Sequence, residues 1–160
     1  MKIKPLVTSI VTGAIGVTAG MGYEFIKEEK RLDKMQDKTN KFETFYRLLI
    51  TWLEAKQDGK DFSDYFERNE IKTVAIYGMA GLGERLLQEL IDTNVEVKYI
   101  IDQNADNIVT SLPKCKPCDE LDRVDAIIVT AVYYYQDIEE MLAKKVDYQI
   151  ISLEDIVYSL

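Results

Sequence analysis

Apolar runs and amphipathic segments alternate along the second half of the chain. Strands are predicted at 73–77 (TVAIY), 95–101, within 112–121, at 125–132 and at 148–153, and helices at 83–93, 135–145 and 154–160. Apolar strands that alternate with amphipathic helices are typical of a parallel sheet covered on both faces. With right-handed crossovers, the pattern predicts an α/β, Rossmann-like open sheet of about five strands in the order 3-2-1-4-5, spanning residues 71–160.

Residues 24–70 carry a helical pattern, predicting a long N-terminal helix that ends before Gly59 and a short capped helix within 61–69. Positions spaced alternately by three and four form an apolar seam of Leu32, Met35, Thr39, Phe42, Tyr46, Leu49 and Leu53. Phe45, Leu48 and Trp52 widen the apolar face in the second half of the helix. Three heptads are the lower limit for a coiled coil, so two alternatives stay open. Either the helix packs on the following domain, or residues 24–58 form a homo-oligomer.

Residues 5–23 contain no charged side chain and are long enough to span a bilayer as a helix. Thr12, Gly16 and Gly20 repeat every fourth residue, as small residues do where membrane helices pack closely. The segment is therefore predicted to be a membrane anchor, and the Lys and Arg residues that follow it place the rest of the chain on the cytoplasmic face. A cleaved signal peptide ending near residue 19 and a soluble N-terminus, with the chain cytoplasmic, are the alternatives.

The sequence GMAGLG, residues 78–83, lies between the first predicted strand and its helix. Backbone N–H groups and the positive end of a helix dipole meet at such a turn, which makes it an anion site. Asp102 follows 19 residues after Gly83, at the tip of the second strand, where dinucleotide-binding sheets place an acid against ribose hydroxyls. The predicted nucleotide site therefore comprises Asp102 and the turn residues Gly78, Met79, Ala80, Gly81, Leu82 and Gly83. The alternative is that the glycines only permit a tight turn and that Asp102 caps the loop after it.

Composition narrows the chemistry. The net charge of −8 argues against a nucleic-acid partner, and the absence of histidine removes His-dependent nucleophiles and zinc sites. Glu84 and Arg85 stand where a P-loop needs Lys and Ser or Thr, so triphosphate hydrolysis is not expected. No metal site is predicted. Cys115 and Cys118 have the spacing of a redox pair. The alternative is that Cys115 serves only as a small apolar residue in a short extended segment.

The run from Ile76 to Leu90, together with Asp102 and the segment DAIIVTAVYYYQDIEEML (125–142), resembles Rossmann-like domains of bacterial surface-polysaccharide biosynthesis. These are the nucleotide-sugar-binding N-terminal domains of sugar acyltransferases and the C-terminal domains of sugar C-methyltransferases. The resemblance covers about residues 71–155, and glycines at the first, fourth and sixth turn positions match Gly78, Gly81 and Gly83. No acyltransferase or methyltransferase domain accompanies it. The resemblance therefore implies a ligand-binding module in glycan biosynthesis without catalysis of its own.

Tyr133, Tyr134 and Tyr135 follow the fourth predicted strand, at the sheet edge where open α/β folds bind ligands. Tyr133 is the candidate for stacking on a base or sugar, although packing of the loop and helix is the better explanation for any single one of these tyrosines. Three functions are therefore expected in order of preference. The first is a membrane-associated accessory module that binds a nucleotide-sugar or NAD(P)-like ligand. The second is a small NAD-dependent oxidoreductase or epimerase, and the third is a structural adaptor with a vestigial nucleotide site.

Overall fold

The computed structural model describes the backbone of residues 4–91 and 93–160, and the side chains of residues 27–91 and 93–160. The chain divides into two compact units, Met1–Glu43 and Thr44–Leu160. In the first unit the described backbone belongs to helix α1 (Lys4–Gln57), whose remaining turns belong to the second unit. The long N-terminal helix predicted from the sequence is confirmed.

The second unit alternates strands and helices after the end of α1. Gly59, with a φ of +75°, follows the helix in the left-handed conformation that glycine adopts without strain. The elements after it are α2 (Ser63–Arg68), β1 (Thr73–Tyr77), α3 (Gly81–Leu90), β2 (Glu96–Ile101), β3 (Lys114–Cys115), β4 (Ala126–Val129), α4 (Tyr135–Leu142), β5 (Gln149–Ser152) and α5 (Leu153–Tyr158). Short 3₁₀ turns at Ala105–Asn107 and Val132–Tyr134 follow β2 and β4.

All strand pairs of the sheet are parallel, and the order is β3-β2-β1-β4-β5, as predicted. The chain builds outward from β1 through β2 and β3, then returns to the other side of β1 with β4 and β5. Strands β1 and β4, paired from Val74 with Ala126 to Tyr77 with Val129, therefore flank the point where the direction of winding reverses. Ligands of open α/β sheets bind at the carboxyl ends of the strands beside this point.

Two apolar layers cover the sheet because alternate strand residues point to opposite faces. Val74 and Ile76 face a layer that contains α2, α3, α5 and the last turns of α1. Ala75 and Tyr77 face the other layer, which α4 and the segment before β4 supply. The uniformly apolar strands follow from this arrangement, since both of their faces are buried.

Most element boundaries differ from the sequence prediction by a few residues, and two of these differences bear on the glycine turn and the end of β4. The strand predicted at 125–132 ends at Val129, because the chain turns after Thr130 and the N–H of Tyr134 bonds to the carbonyl of Ala131. The helix predicted at 83–93 begins at Gly81, since the extended Ala80 already directs the chain into helical conformation. The glycine turn is thus shorter than the sequence suggested, and Gly81 and Gly83 belong to the first turn of α3.

Within the described part of the chain, no helix is both long and apolar enough to cross a membrane. The side chains of residues 5–23 lie outside the described residues. The membrane anchor predicted there stays a prediction.

Candidate functional site

The first position of the glycine turn, residue 78, accommodates only glycine. Gly78 has a φ of +91°, and a Cβ on it would lie 2.9 Å from Oγ1 of Thr130. The buried hydroxyl of Thr130 bonds to the carbonyl oxygens of Gly78, at 2.6 Å, and of Tyr77, at 3.1 Å. It carries one proton, so the shorter bond to Gly78 dominates. The end of β4 thereby fixes the conformation of the turn that leaves β1.

The other two glycines of the motif differ sharply from each other. A Cβ on Gly83 would overlap the carbonyl group of Gly78, so Gly83 allows α3 to approach the end of β1. A Cβ on Gly81 would meet no other atom within 4 Å, and its φ is not in the left-handed region. The fold therefore explains Gly78 and Gly83 but not Gly81, which leaves open space at the start of α3.

The amino end of α3 has no side-chain cap. Its N-cap residue is Ala80, and no side chain bonds to the first amides of the helix. Such amides, with the helix dipole behind them, attract an anion or a water molecule. Glu84 lies in this first turn and would oppose an anion, while the adjacent Arg85, 3.8 Å from Glu84, partly offsets its charge.

Asp102 lies at the end of β2, and its carboxylate contacts the glycine turn directly. One oxygen accepts the N–H of Met79 at 2.8 Å, and the other accepts the N–H of Asn104 at 2.7 Å. Asp102 therefore lies beside the glycine turn, as its position in the sequence predicted. Both oxygens of the Asp102 carboxylate already accept backbone N–H groups of the chain. The sequence pattern did not indicate these bonds. Burial raises the pKa of the neighbouring Tyr77; a hydrogen bond with the Gln103 side chain lowers the pKa of Tyr77 in part, and the charge of Asp102 raises it.

The three tyrosines after β4 have different environments. Tyr135 donates its hydroxyl to Glu139, at 2.8 Å, and to the carbonyl oxygen of Ile150, at 3.0 Å. Burial, then the hydrogen bond with Glu139 and the charge of Glu139, raises the pKa of Tyr135. Its hydroxyl is therefore tied to the sheet edge by the two bonds. Tyr133 and Tyr134 form an edge-to-face pair with ring centres 5.2 Å apart.

An open cleft of about 460 Å³ lies beside these rings. Tyr133, Tyr134 and the end of β5 at Ser152 line it, together with the carboxylates of Asp137, Glu154 and Asp155. This cleft and the glycine turn share one edge of the sheet, because Ala131, which precedes Val132 and Tyr133, lies against Gly78. Three carboxylates disfavour a phosphate here and suit the hydroxyl groups of a sugar, which donate hydrogen bonds.

A larger cavity, of about 670 Å³, opens at the opposite, amino edge of the sheet. Its lining includes Glu67, Glu70, Lys72 and Asp125. The amides that reach this edge are already bonded, since the carboxylate of Asp125 accepts the N–H groups of Lys72 and Thr73. We therefore place the candidate site at the carboxyl edge, where α3 begins without a side-chain cap.

The two cysteines are both free thiols. Cys115 is half-buried in β3 and packs on the sheet, as the structural alternative predicted, whereas Cys118 is exposed. Burial, with Asp119 and Asp122 nearby, raises the pKa of the Cys115 thiol, which opposes thiolate reactivity. Among the described side chains, no three acidic or sulfur ligands lie together as a metal site would require.

The structure brings together Gly78, Met79, Ala80, Gly81, Leu82, Gly83 and Asp102, and places Tyr133 in the adjoining cleft. The sequence reasoning missed Thr130, whose only signal was a hydroxyl at the end of an otherwise apolar strand. Comparisons with protein-family models, with curated proteins and with solved structures gave no match.

Proposed function

We propose that this chain is an accessory nucleotide-binding module, without catalysis of its own, whose ligand binds at the start of α3. The observation that carries the proposal is the open space at Gly81. Alanine at that position would favour the helix more than glycine does, by up to about 1 kcal/mol. Packing does not explain a glycine at position 81, but the close approach of a diphosphate to the uncapped amides of α3 would.

The rest of the edge fits a nucleotide-sugar best. Asp102 stands beside the turn, where it can exchange its bond with Met79 for a bond to a ribose hydroxyl. The cleft beside Tyr133 offers an aromatic face and carboxylates to the hydroxyl-rich part of the ligand. An NAD-like ligand is the alternative within the same proposal, because the turn treats both diphosphates alike.

The cellular setting of the proposal comes from the sequence. Residues 5–23 would anchor the module to the cytoplasmic face of a bacterial membrane, and the resemblance described above suggests polysaccharide or glycan biosynthesis. A module that holds a nucleotide-sugar at the membrane would serve a separate catalytic protein there.

One observation favours a second function, a structural adaptor whose nucleotide site is vestigial. The carboxylate of Asp102 already accepts the N–H of Met79, so one donor of the turn is satisfied without any ligand. An oxidoreductase or epimerase has less in its favour, since the hydroxyl of Tyr135 is bonded to Glu139 and Ile150.

The test is a thermal-shift screen of the full-length protein in a neutral detergent, with UDP-glucose, NAD⁺ and CoA. Stabilisation grows with the ratio of ligand concentration to Kd, reaching about 2.7 kcal/mol at a hundredfold excess over Kd. We expect UDP-glucose at millimolar concentration to raise the melting temperature more than CoA does. The absence of a shift with all three ligands would favour the adaptor.

A further inference from the structure

A further cavity, of about 610 Å³, lies at the carboxyl ends of β2 and β3. Its described lining comes from the residue after Asp102, from the segment that follows β3, and from α4 and the turn after it: Gln103, Lys116, Pro117, Cys118, Met141 and Lys145. It shares none of these residues with the cleft beside Tyr133. Because β2 and β4 lie on opposite sides of β1, the glycine turn has one of these two spaces on each side.

Both lysines of this cavity already have partners within the chain. The Nζ of Lys145 donates to the carbonyl oxygen of Pro117 at 2.6 Å. The Nζ of Lys116 lies 2.5 Å from a carboxylate oxygen of Asp106. A phosphate in the cavity would compete with these partners, whereas the side chains of Pro117 and Met141 offer apolar surface. The cavity therefore suits a flat, uncharged group better than a phosphate.

The wall formed by residues 116–119 is fixed by its own hydrogen bonds. The N–H of Lys116 donates to the carboxylate of Asp119 at 2.6 Å, and the N–H of Asp119 donates to the carbonyl oxygen of Lys116 at 3.0 Å. Between them, Pro117 is buried, and its ring restricts the backbone further. The cavity is therefore formed in the absence of a ligand, and a ligand need not order this segment when it binds.

We infer that this cavity holds the base of the nucleotide, while Asp102 holds the ribose and the cleft beside Tyr133 holds the sugar. The inference rests on the proposed function and adds the direction in which the ligand lies along the sheet edge. A base is joined to its ribose by a single bond, so it must lie close to Asp102 if that carboxylate binds the ribose hydroxyls. Gln103, the next residue along the chain, lines the cavity. The cavity therefore begins where the base would lie.

The opposite direction of the ligand fits the two spaces less well. It would place the base among the carboxylates of Asp137, Glu154 and Asp155. It would also place the sugar hydroxyls against the apolar surface of Pro117 and Met141, and burying a hydroxyl without a hydrogen-bond partner is unfavourable. The ligand therefore follows the strand order, with the ribose at β2, the diphosphate at the turn after β1 and the sugar beyond β4.

Cys118 allows the occupancy of this cavity to be measured in the full-length protein. Its thiol is exposed and lines the cavity, and in a Cys115→Ser variant it is the only thiol of the chain. The measurement is the rate of its alkylation by N-ethylmaleimide, in a neutral detergent, with UDP, UDP-glucose or pyrophosphate at equal concentration. At a tenfold excess of ligand over Kd about one site in eleven is free, so we expect UDP and UDP-glucose to slow alkylation about tenfold. Pyrophosphate, which has no base, should leave the rate unchanged.

Calorimetry on the same samples separates this inference from the proposed function. If UDP-glucose gives no heat of binding, the proposed function fails and this inference fails with it. If UDP-glucose binds but does not slow the alkylation of Cys118, the nucleotide site stands and the base does not lie in this cavity. If pyrophosphate slows alkylation as much as UDP does, the cavity is a phosphate site, which also overturns the inference.

Filling the cavity supplies an independent test. Cys118→Trp adds a large side chain to the cavity from an exposed position, while Glu120→Trp adds the same side chain at a nearby exposed position that does not line it. We expect Cys118→Trp to weaken UDP binding at least about tenfold, and Glu120→Trp to change it less than about twofold. An affinity for UDP that Cys118→Trp does not lower would overturn the inference. Circular dichroism checks that both substitutions leave the fold unchanged.

Discussion

Strands β1 and β4 are joined at both ends, but the two ends are built differently. At the amino end, the carboxylate of Asp125 accepts the N–H of Lys72 at 2.9 Å and both the N–H and the hydroxyl of Thr73. The N–H of Asp125 bonds back to Thr73. One side chain thus satisfies the amides that reach it, and the amino end is closed by the chain itself.

At the carboxyl end, side chains fix the conformation of the glycine turn but leave the space beside it open. Thr130 holds the carbonyl of Gly78, and Asp102 holds the amide of Met79. The first amides of α3 have no side-chain cap, and the space at Gly81 is open. The two ends of one strand pair therefore differ: the chain's own groups fill the amino end, whereas the space beside Gly81 at the carboxyl end is open.

The largest expected effect concerns the two glycines of the first turn of α3. Gly83→Ala places a Cβ against the carbonyl of Gly78, and neither backbone can retreat, so we expect a loss of about 3 kcal/mol or more in the free energy of unfolding. Gly81→Ala, its matched control, meets no atom and should be neutral or slightly stabilising. Urea unfolding of both variants measures this difference. Equal losses would break the distinction between a structural and an open glycine.

Substitution of Thr130 should give the next largest loss in the free energy of unfolding. Thr130→Val keeps the shape of the side chain but removes the donor to the buried Gly78 carbonyl, which should cost about 1–3 kcal/mol. Thr130→Ser keeps the hydroxyl and is the control, with a smaller loss expected from the missing methyl group. If Thr130→Val unfolds at the same urea concentration as the wild type, the hydroxyl does not fix the turn.

Asp125 should give the smallest effect and one that depends on pH. The N–H groups of Lys72 and Thr73 lower the pKa of Asp125 in the folded state, so its contribution is fully present above the unfolded pKa of about 3.9 and is lost as pH falls through the lower, folded value. Asp125→Ala should cost about 1 kcal/mol at pH 7, because the carboxylate faces water. The difference from wild type should shrink below pH 4.

The control for that pH dependence is Asp147, whose ion pair with Arg123 is exposed on both sides. Asp147→Ala should change the free energy of unfolding by less than about 0.5 kcal/mol at pH 7. A loss for Asp125→Ala that is no larger than the loss for Asp147→Ala would mean that the amino end is not closed by its carboxylate.

The fold was predictable because its signal is repeated. Five apolar runs separated by amphipathic segments leave few arrangements other than a parallel sheet, and the observed strand order is the predicted one. Helix α1 shows the limit of that reasoning, since its pattern left docking and self-association open. The structure shows that Leu48 and Trp52 pack into the core while Phe42 is exposed.

The candidate site was predictable in its members but not in its contacts. Residue types and spacing placed Asp102 near the glycine turn, but the bond between its carboxylate and Met79 joins residues 23 apart in sequence. Thr130 carried no pattern, because threonine is common in strands and its partner lies on another strand. Only the packing around each glycine distinguishes Gly81 from Gly83, and a sequence motif treats them alike.

Isothermal titration calorimetry of UDP-glucose with the wild type and with Gly81→Ala tests most directly whether a nucleotide-sugar binds at the start of α3. We expect the wild type to bind and Gly81→Ala to bind at least about tenfold more weakly, a loss of about 1.4 kcal/mol, with a urea midpoint no lower than that of the wild type. Equal affinity of the two proteins, or no heat of binding in the wild type at millimolar ligand, would contradict the assignment of the start of α3 as a nucleotide-sugar site.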